Sequence, residues 1–222
     1  MNRSAARLNV AANQLLAALP GSALSLIEPH FTSVSLAAGA IVYEVGDEID
    51  RVYFPSSGIA SLQTVMKDGR AIDTALVGHN GALGAMAAYV PYRAAVRCVV
   101  RSTITAFRIA AVEYRRAAAQ EVALQMLVIH YQDALLSQTQ AKAARYASFP
   151  IDQRLAACLL DVSNLLASES IPLTQDTLAE MLAVRRSSIS EVGSKLKAAG
   201  VIDYLRGEIT ILDRAGLLKL RC

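Results

Sequence analysis

Residues 173–212 constrain the fold of this chain most tightly. Thr174 stands three residues before Thr177 and just ahead of an apolar-periodic run, where a hydroxyl can cap a helix. Leu178, Ala179 and Leu182 share one face of a short helix, and Ala183 and Val184 follow as a tight turn. A second helix is predicted over 185–199, with Ile189, Val192 and Leu196 at i, i+3 and i+7 as its buried stripe. Gly200 stands where a helix-ending glycine belongs. Residues 201–205 and 208–212 read as two short strands with Arg206 and Gly207 as their turn. Helix, short turn, helix and hairpin in this order make a winged helix-turn-helix.

Removing the buried stripe from the second helix leaves Arg185, Arg186, Ser187, Ser188, Ser190 and Ser194 at its start and along its exposed side. Arginines in the first turn of such a helix can reach guanine O6 and N7 in a major groove. Small serines let the helix sit deep, and their hydroxyls, like that of Thr174, can contact phosphate or base. Lys195, Lys197 and Arg206 are expected nearer the backbone phosphates. Residues 148–222 hold nine basic and nine acidic side chains, so the domain is neutral as a whole. Within 182–206 there are five basic and two acidic residues, a local charge of +3. The expectation of DNA binding therefore rests on this local pattern and not on global charge.

Upstream, residues 34–109 alternate short β-rich runs with turn residues. The runs are 34–36, 41–43, 52–54, 59–62 and 96–100; turns are expected at Gly39, Gly46 with Asp47, residues 55–58, 67–69, Gly78, and Asn80 with Gly81. Strands spaced by about ten residues suggest an antiparallel barrel or roll. Residues 121–146 then lack Gly and Pro, and Val122, Met126, Ile129, Asp133, Leu136 and Gln140 recur every three or four residues. That is a long helix with one stripe that must be hidden on something. A second copy of the helix is the favoured partner, and the chain's own sheet is the alternative. Ser148, Phe149 and Pro150 break the pattern at a hinge. A further helix carries Leu155, Leu159, Val162 and Leu166 on one face, and 167–172 reads as a polar linker.

Near the start, Leu8, Ala12, Leu15, Leu16 and Leu19 fall on one helical face. Asn9, Asn13, Gln14, Pro20 and Gly21 interrupt the apolar run, which argues against a signal segment or a spanning helix. The three cysteines, Cys98, Cys158 and Cys222, are too scattered for a disulfide framework, and a reducing cytoplasm is the simplest setting. With no Trp and few aromatic residues, stacking on single-stranded nucleic acid has little to work with. No Gly-x-Ser-x-Gly, His-Glu-x-x-His or phosphate-binding loop is present, so an enzyme is not expected.

The order of parts resembles the CRP/FNR family of bacterial transcription regulators over nearly the full length. In the roll, residues 43–47, 52–55 and 57–59 look like the family's strand and glycine-turn pattern; residues 173–182 and 184–189 look like its two DNA-binding helices. The resemblance implies an α+β fold in three parts. Residues 1–120 would be an antiparallel β-roll sensor, similar to a cyclic-nucleotide-binding domain, with an N-terminal helix. Residues 121–147 would be a dimerisation helix and 148–222 a winged helix-turn-helix. Arg186 falls where the family usually places its base-contacting arginine, and Ser187 where many members have glutamate. Ala183 replaces a common glycine in the turn. The implied partners are a double-stranded DNA operator, a second copy of the chain and RNA polymerase, with no membrane.

For some members the resemblance implies cyclic-nucleotide sensing, and here the residues disagree. The family's phosphate cassette carries a glutamate for the ribose hydroxyl and an arginine for the cyclic phosphate. This chain has Gly81, Ala82 and Leu83, then Tyr92, Arg93 and Ala94, so Ala82 replaces the glutamate and Tyr92 the arginine. A one-residue shift would return Arg93 to the phosphate, but nothing restores the carboxylate. Thr139 falls where a helix residue would meet the base. Cyclic AMP is therefore disfavoured as effector. A cysteine cluster for iron–sulfur chemistry is missing, and His30, His79 and His130 are isolated, so no metal and no cofactor is expected. The alternative reading is a ligand-responsive module that acts through protein contacts instead of DNA.

Overall fold

The structure, a computed structural model, describes residues 9–205 and 207–221. Leu8, Arg206 and Cys222 lie outside the described residues. The N-terminal part is a five-stranded antiparallel sheet in the order β1–β5–β3–β4, with β2 also pairing β5. The strands are β1 (Thr32–Leu36), β2 (Ile41–Tyr43), β3 (Arg51–Val65), β4 (Ala71–Val77) and β5 (Arg97–Ala110). The ladder of β3 on β5 runs from Arg51 opposite Ala110 to Gln63 opposite Arg97.

The turn expected at 55–58 does not form. Those residues lie inside β3, which joins two of the expected runs into one strand. The pairing with β5 slips around Ser57 and again at Ile59, so Pro55 and Gly58 are absorbed as bulges. Gly58 has φ +74°, and a Cβ there would stand 2.2 Å from the Thr103 carbonyl oxygen. Strand β4 was not anticipated; neither were α3 (Ala111–Gln120) and the final helix α8 (Arg214–Arg221).

The single N-terminal helix is also corrected. Two short helices stand there, α1 (Gln14–Ala17) and α2 (Gly21–Ile27). Asn13 caps the first of them, and Pro20 stands at the break between the two. The Asn13 carboxamide oxygen accepts from the Leu15 and Leu16 N–H groups, both at 3.1 Å. Its nitrogen donates to the carbonyls of Pro55 and Gly81, so the buried side chain ties the N-terminal segment to the roll.

Helix α4 (Val122–Ser148) is capped by Glu121, whose carboxylate accepts from the Ala123 N–H. Its two faces part company. Leu124, Val128 and Tyr131 are buried against the roll, while Val122, Met126, Ile129 and Leu136 are 66%, 41%, 50% and 55% exposed. Asp133 and Gln140 of the same stripe are exposed too. After Phe149 and Pro150 comes α5 (Ile151–Leu166), whose apolar face anchors the C-terminal core. The expected polar linker holds a strand, β6 (Ser170–Ile171), which pairs β8 (Glu208–Ile211); β8 in turn pairs β7 (Ile202–Leu205). The wing is thus a three-stranded sheet. Among the described residues no helix is long and apolar enough to cross a membrane.

Candidate nucleic-acid interface

Helix α6 (Gln175–Leu182) starts at Thr174, whose hydroxyl accepts from the Thr177 N–H at 3.1 Å. Leu178, Met181 and Leu182 are buried in the C-terminal core, where α6 packs on α5 and on the helix that follows it. The helix ends at Ala183, held at φ +52°, where the Val184 N–H returns to the Ala179 carbonyl. This left-handed residue turns the chain into α7 (Arg186–Ala198). Ile189, Val192 and Leu196 are buried, as their spacing requires, and Gly193 lets α7 approach the Tyr204 ring of the wing. A Cβ at Gly193 would come within 2.8 Å of that ring.

Helix α7 begins one residue later than the spacing suggests. Arg185 is its extended N-cap residue and makes no side-chain capping bond. The first turn of α7 therefore meets solvent with the positive end of the helix dipole uncovered, an arrangement suited to phosphate. Arg185, Arg186 and Ser187 are exposed there; Ser188 and Ser190 are half-buried. The Ser194 hydroxyl donates to the Ser190 carbonyl at 2.8 Å, which leaves its oxygen free to accept.

The cations are less free than the sequence implies. Arg186 Nε lies 3.3 Å from Asp176 Oδ1, on the first turn of α6. Lys195 pairs Glu191 at 2.8 Å, and Lys197 reaches Asp203 of the wing at 2.5 Å. All three pairs are solvent-exposed, and an exposed pair holds a side chain only weakly. Among the described residues Arg185 has no acidic partner. The tip is not packed away, so a duplex can compete for every one of these groups. Arg206 lies outside the described residues. Asp176, which sets the resting position of Arg186, was missed in the sequence because ten residues and a turn separate the two.

The roll holds a cavity, between the sheet and α4. Ala82, Tyr92 and Ala94 line it, as does Leu135, one helical turn before Thr139, together with Tyr43, Tyr131 and Gln132. Thr139 itself does not; its hydroxyl donates to the Leu135 carbonyl at 2.9 Å. Arg93 is turned outward and donates to the Gly46 carbonyl at 2.9 Å, so the one-residue shift that would have returned it to a phosphate does not occur. Gly81 and Leu83 flank the cavity without lining it. Gly81 is there for space: a Cβ would meet the Tyr131 hydroxyl at 2.9 Å. Burial holds the Tyr43 and Tyr131 phenols above their ordinary range, and burial pushes the Cys98 thiol up to about 12.

Two family models match the chain in tandem: a cyclic nucleotide-binding domain over residues 33–119 and a Crp-like helix-turn-helix domain over 153–220. The chain belongs to the CRP/FNR family. Solved structures agree on the fold. FixK2 from Bradyrhizobium japonicum is 16% identical with a TM-score of 0.75, over 86% of this chain and 98% of that one. A crp/fnr-family regulator from Eubacterium rectale is 18% identical with a TM-score of 0.71, over 95% and 99%. TTHA1359, a CRP/FNR regulator from Thermus thermophilus, is 22% identical with a TM-score of 0.70, over 86% and 98%. No curated protein matches the chain in sequence.

As a CRP/FNR chain it invites a test of its roll for a cyclic nucleotide. Among the described residues lining the cavity none is charged. A cyclic phosphate placed there would lose its hydration with no cation to replace it, at a cost of several kcal/mol, roughly. The walls do not fit that ligand.

Proposed function

We propose that this CRP/FNR regulator binds a pseudo-palindromic DNA operator as a homodimer, with α7 of each copy in a major groove. The uncapped, exposed start of α7, carrying Arg185, Arg186 and Ser187, is the observation that supports this reading. Arg186 reads a base edge there, and Arg185 and Ser187 contact base or phosphate. Ser188, Ser190 and Ser194 allow close approach, while Thr174, Lys195, Lys197 and Arg206 serve the backbone. The exposed stripe of α4 pairs two copies and sets the two α7 helices about one DNA turn apart, ~34 Å. RNA polymerase is the partner through which binding becomes regulation.

The roll senses something other than a cyclic nucleotide, because its cavity offers neither cation nor carboxylate. A salt titration against random duplex tests the DNA reading. Affinity should fall linearly on a log–log plot as phosphate contacts release counterions. An affinity independent of salt would favour the module that works through protein contacts.

A further inference from the structure

Where α4, α5 and β4 meet there is a narrow cleft whose walls are mainly apolar, about 40 Å³ in volume and open to solvent at its mouth. Lys142, Arg145, Tyr146, Arg154, Cys158 and Asp161 line it. Three cations and one carboxylate leave a surplus of two positive charges among these groups. The carboxylate is already engaged: Asp161 pairs Arg145 at 3.1 Å and Arg221 at 3.4 Å. Among the described residues Lys142 forms no ion pair; its ammonium lies 5.7 Å from the centre of the Tyr146 ring. Burial holds that ammonium below the usual lysine value. The Arg154 guanidinium covers the same ring at 4.3 Å, and its Nε is buried without an acceptor. Unpaired cations in an apolar cleft are costly unless an anion joins them.

We propose that this cleft binds a small organic carboxylate with an apolar body, its charge held between Lys142 and Arg154 and its body against Tyr146 and Cys158. The burial that keeps the Cys158 thiol neutral, pushing it up to about 12, makes that wall apolar as well. A carboxylate suits the site better than a free phosphate, which would leave the apolar walls unmatched. The site lies outside the roll cavity and shares none of its lining residues.

Its position gives it leverage on the DNA-binding helices. The Tyr146 hydroxyl donates to the Met181 carbonyl at 2.6 Å, and Arg154 Nη2 donates to the Leu182 carbonyl. These are the last two residues of α6, directly before the Ala183 turn into α7. A carboxylate that draws on Arg154 alters the brace on that turn. The site stands on its own chemistry; only this regulatory consequence rests on the DNA-binding reading.

Calorimetry and thermal shift on the full chain, with benzoate and hexanoate as probes and inorganic phosphate at matched ionic strength, test the site. Saturable binding of the two carboxylates is expected, with no comparable response to phosphate. Lys142→Met should weaken binding about tenfold or more, which is 1.4 kcal/mol or more. It should melt no lower than the parent, since it removes a half-buried cation that lacks a carboxylate partner, and Lys142→Arg should restore binding. Absence of saturable binding, a phosphate response without a carboxylate response, or equal affinity in Lys142→Met would overturn the site. A second arm measures duplex affinity with and without saturating benzoate. A shift that Lys142→Met abolishes is expected; carboxylate binding that leaves DNA affinity unchanged overturns the coupling and leaves the DNA reading intact.

Discussion

Arg101 of β5 and Glu180 of α6 meet at 2.8 Å across the face where the roll touches the helix-turn-helix domain. The two ends of this contact differ. The Arg101 side chain is 6% exposed, and its other nitrogens donate to Asp73 at 2.8 Å and to the Ser61 hydroxyl at 3.0 Å. Asp73 is fully buried and also accepts from Gln63 and Ser61. Glu180 is largely exposed. A network built to satisfy a buried carboxylate inside the roll thus lends one arm to the neighbouring domain.

Removing Arg101 should therefore cost far more than the interdomain contact is worth. Arg101→Met leaves Asp73 buried and unpaired, and a loss of about 3–5 kcal/mol is expected in urea unfolding. Glu180→Gln should leave global stability nearly unchanged but loosen the docking of α6. Faster limited proteolysis at the 148–150 hinge would report that loosening. Equal midpoints for Arg101→Met and the parent would show that Asp73 is neutral or hydrated.

Arg186 and Asp176 offer a sharper test of the DNA interface. The exposed carboxylate 3.3 Å from Arg186 Nε competes with DNA for the guanidinium and adds negative charge near the phosphates. Asp176→Asn should raise affinity for all duplexes. Arg186→Ala should lose discrimination at one base pair per half-site, on the order of 1–3 kcal/mol, while dimerisation survives. Lys195→Ala should weaken all sequences alike and lower the salt slope by about one. Anisotropy titrations on specific and random duplexes separate these outcomes; an unchanged preference in Arg186→Ala would remove Arg186 from the base-reading set.

Much of the C-terminal domain was legible because its signals are local. Gly200 ends α7 with φ +70°, Thr174 caps α6, and the stripe of Ile189, Val192 and Leu196 faces inward. The roll was read less well. Pro55 and Gly58 carry strong turn chemistry, yet β5 is long enough to hold β3 across them as bulges. Strand β4 was not foreseen at 71–77; its Asp73 is buried with bonds from Ser61, Gln63 and Arg101, partners that only the folded sheet brings together. Lys195 and Glu191 are an i,i+4 pair within α7, but the contacts of Arg186 with Asp176 and of Lys197 with Asp203 depend on how α6, α7 and the wing come together.

Ala183 carries a cost that glycine would not. Its φ of +52° lies in the left-handed region, which a Cβ disfavours by roughly 1–2 kcal/mol. Glycine gives back part of that gain through its larger unfolded-state entropy. Ala183→Gly should therefore stabilise the chain by about 1 kcal/mol, read as a higher urea midpoint at unchanged slope. A destabilised variant would mean that the Ala183 methyl group contributes packing at the α6–β4 face that outweighs its backbone strain.

The exposed stripe of α4 carries the last prediction. Val122, Met126, Ile129 and Leu136 present large apolar side chains to solvent at spacings that keep them in one line. Asp133 and Gln140 sit in that line, as polar positions do in helix seams where they set register at a cost in stability. In a two-fold pair each stripe residue acts twice, so a single substitution removes two contacts. Burying one Leu side chain is worth about 1.5–3 kcal/mol, and Leu136→Glu should forfeit this twice while adding two like charges that repel across the seam. Sedimentation velocity should show the parent as a dimer and Leu136→Glu as a monomer, with operator affinity lost and little change in the fold by circular dichroism. Asp133→Leu should move the other way, tightening the dimer. If Leu136→Glu still sediments as a dimer, the stripe is not the seam, and the spacing of the two α7 helices must be set by another surface.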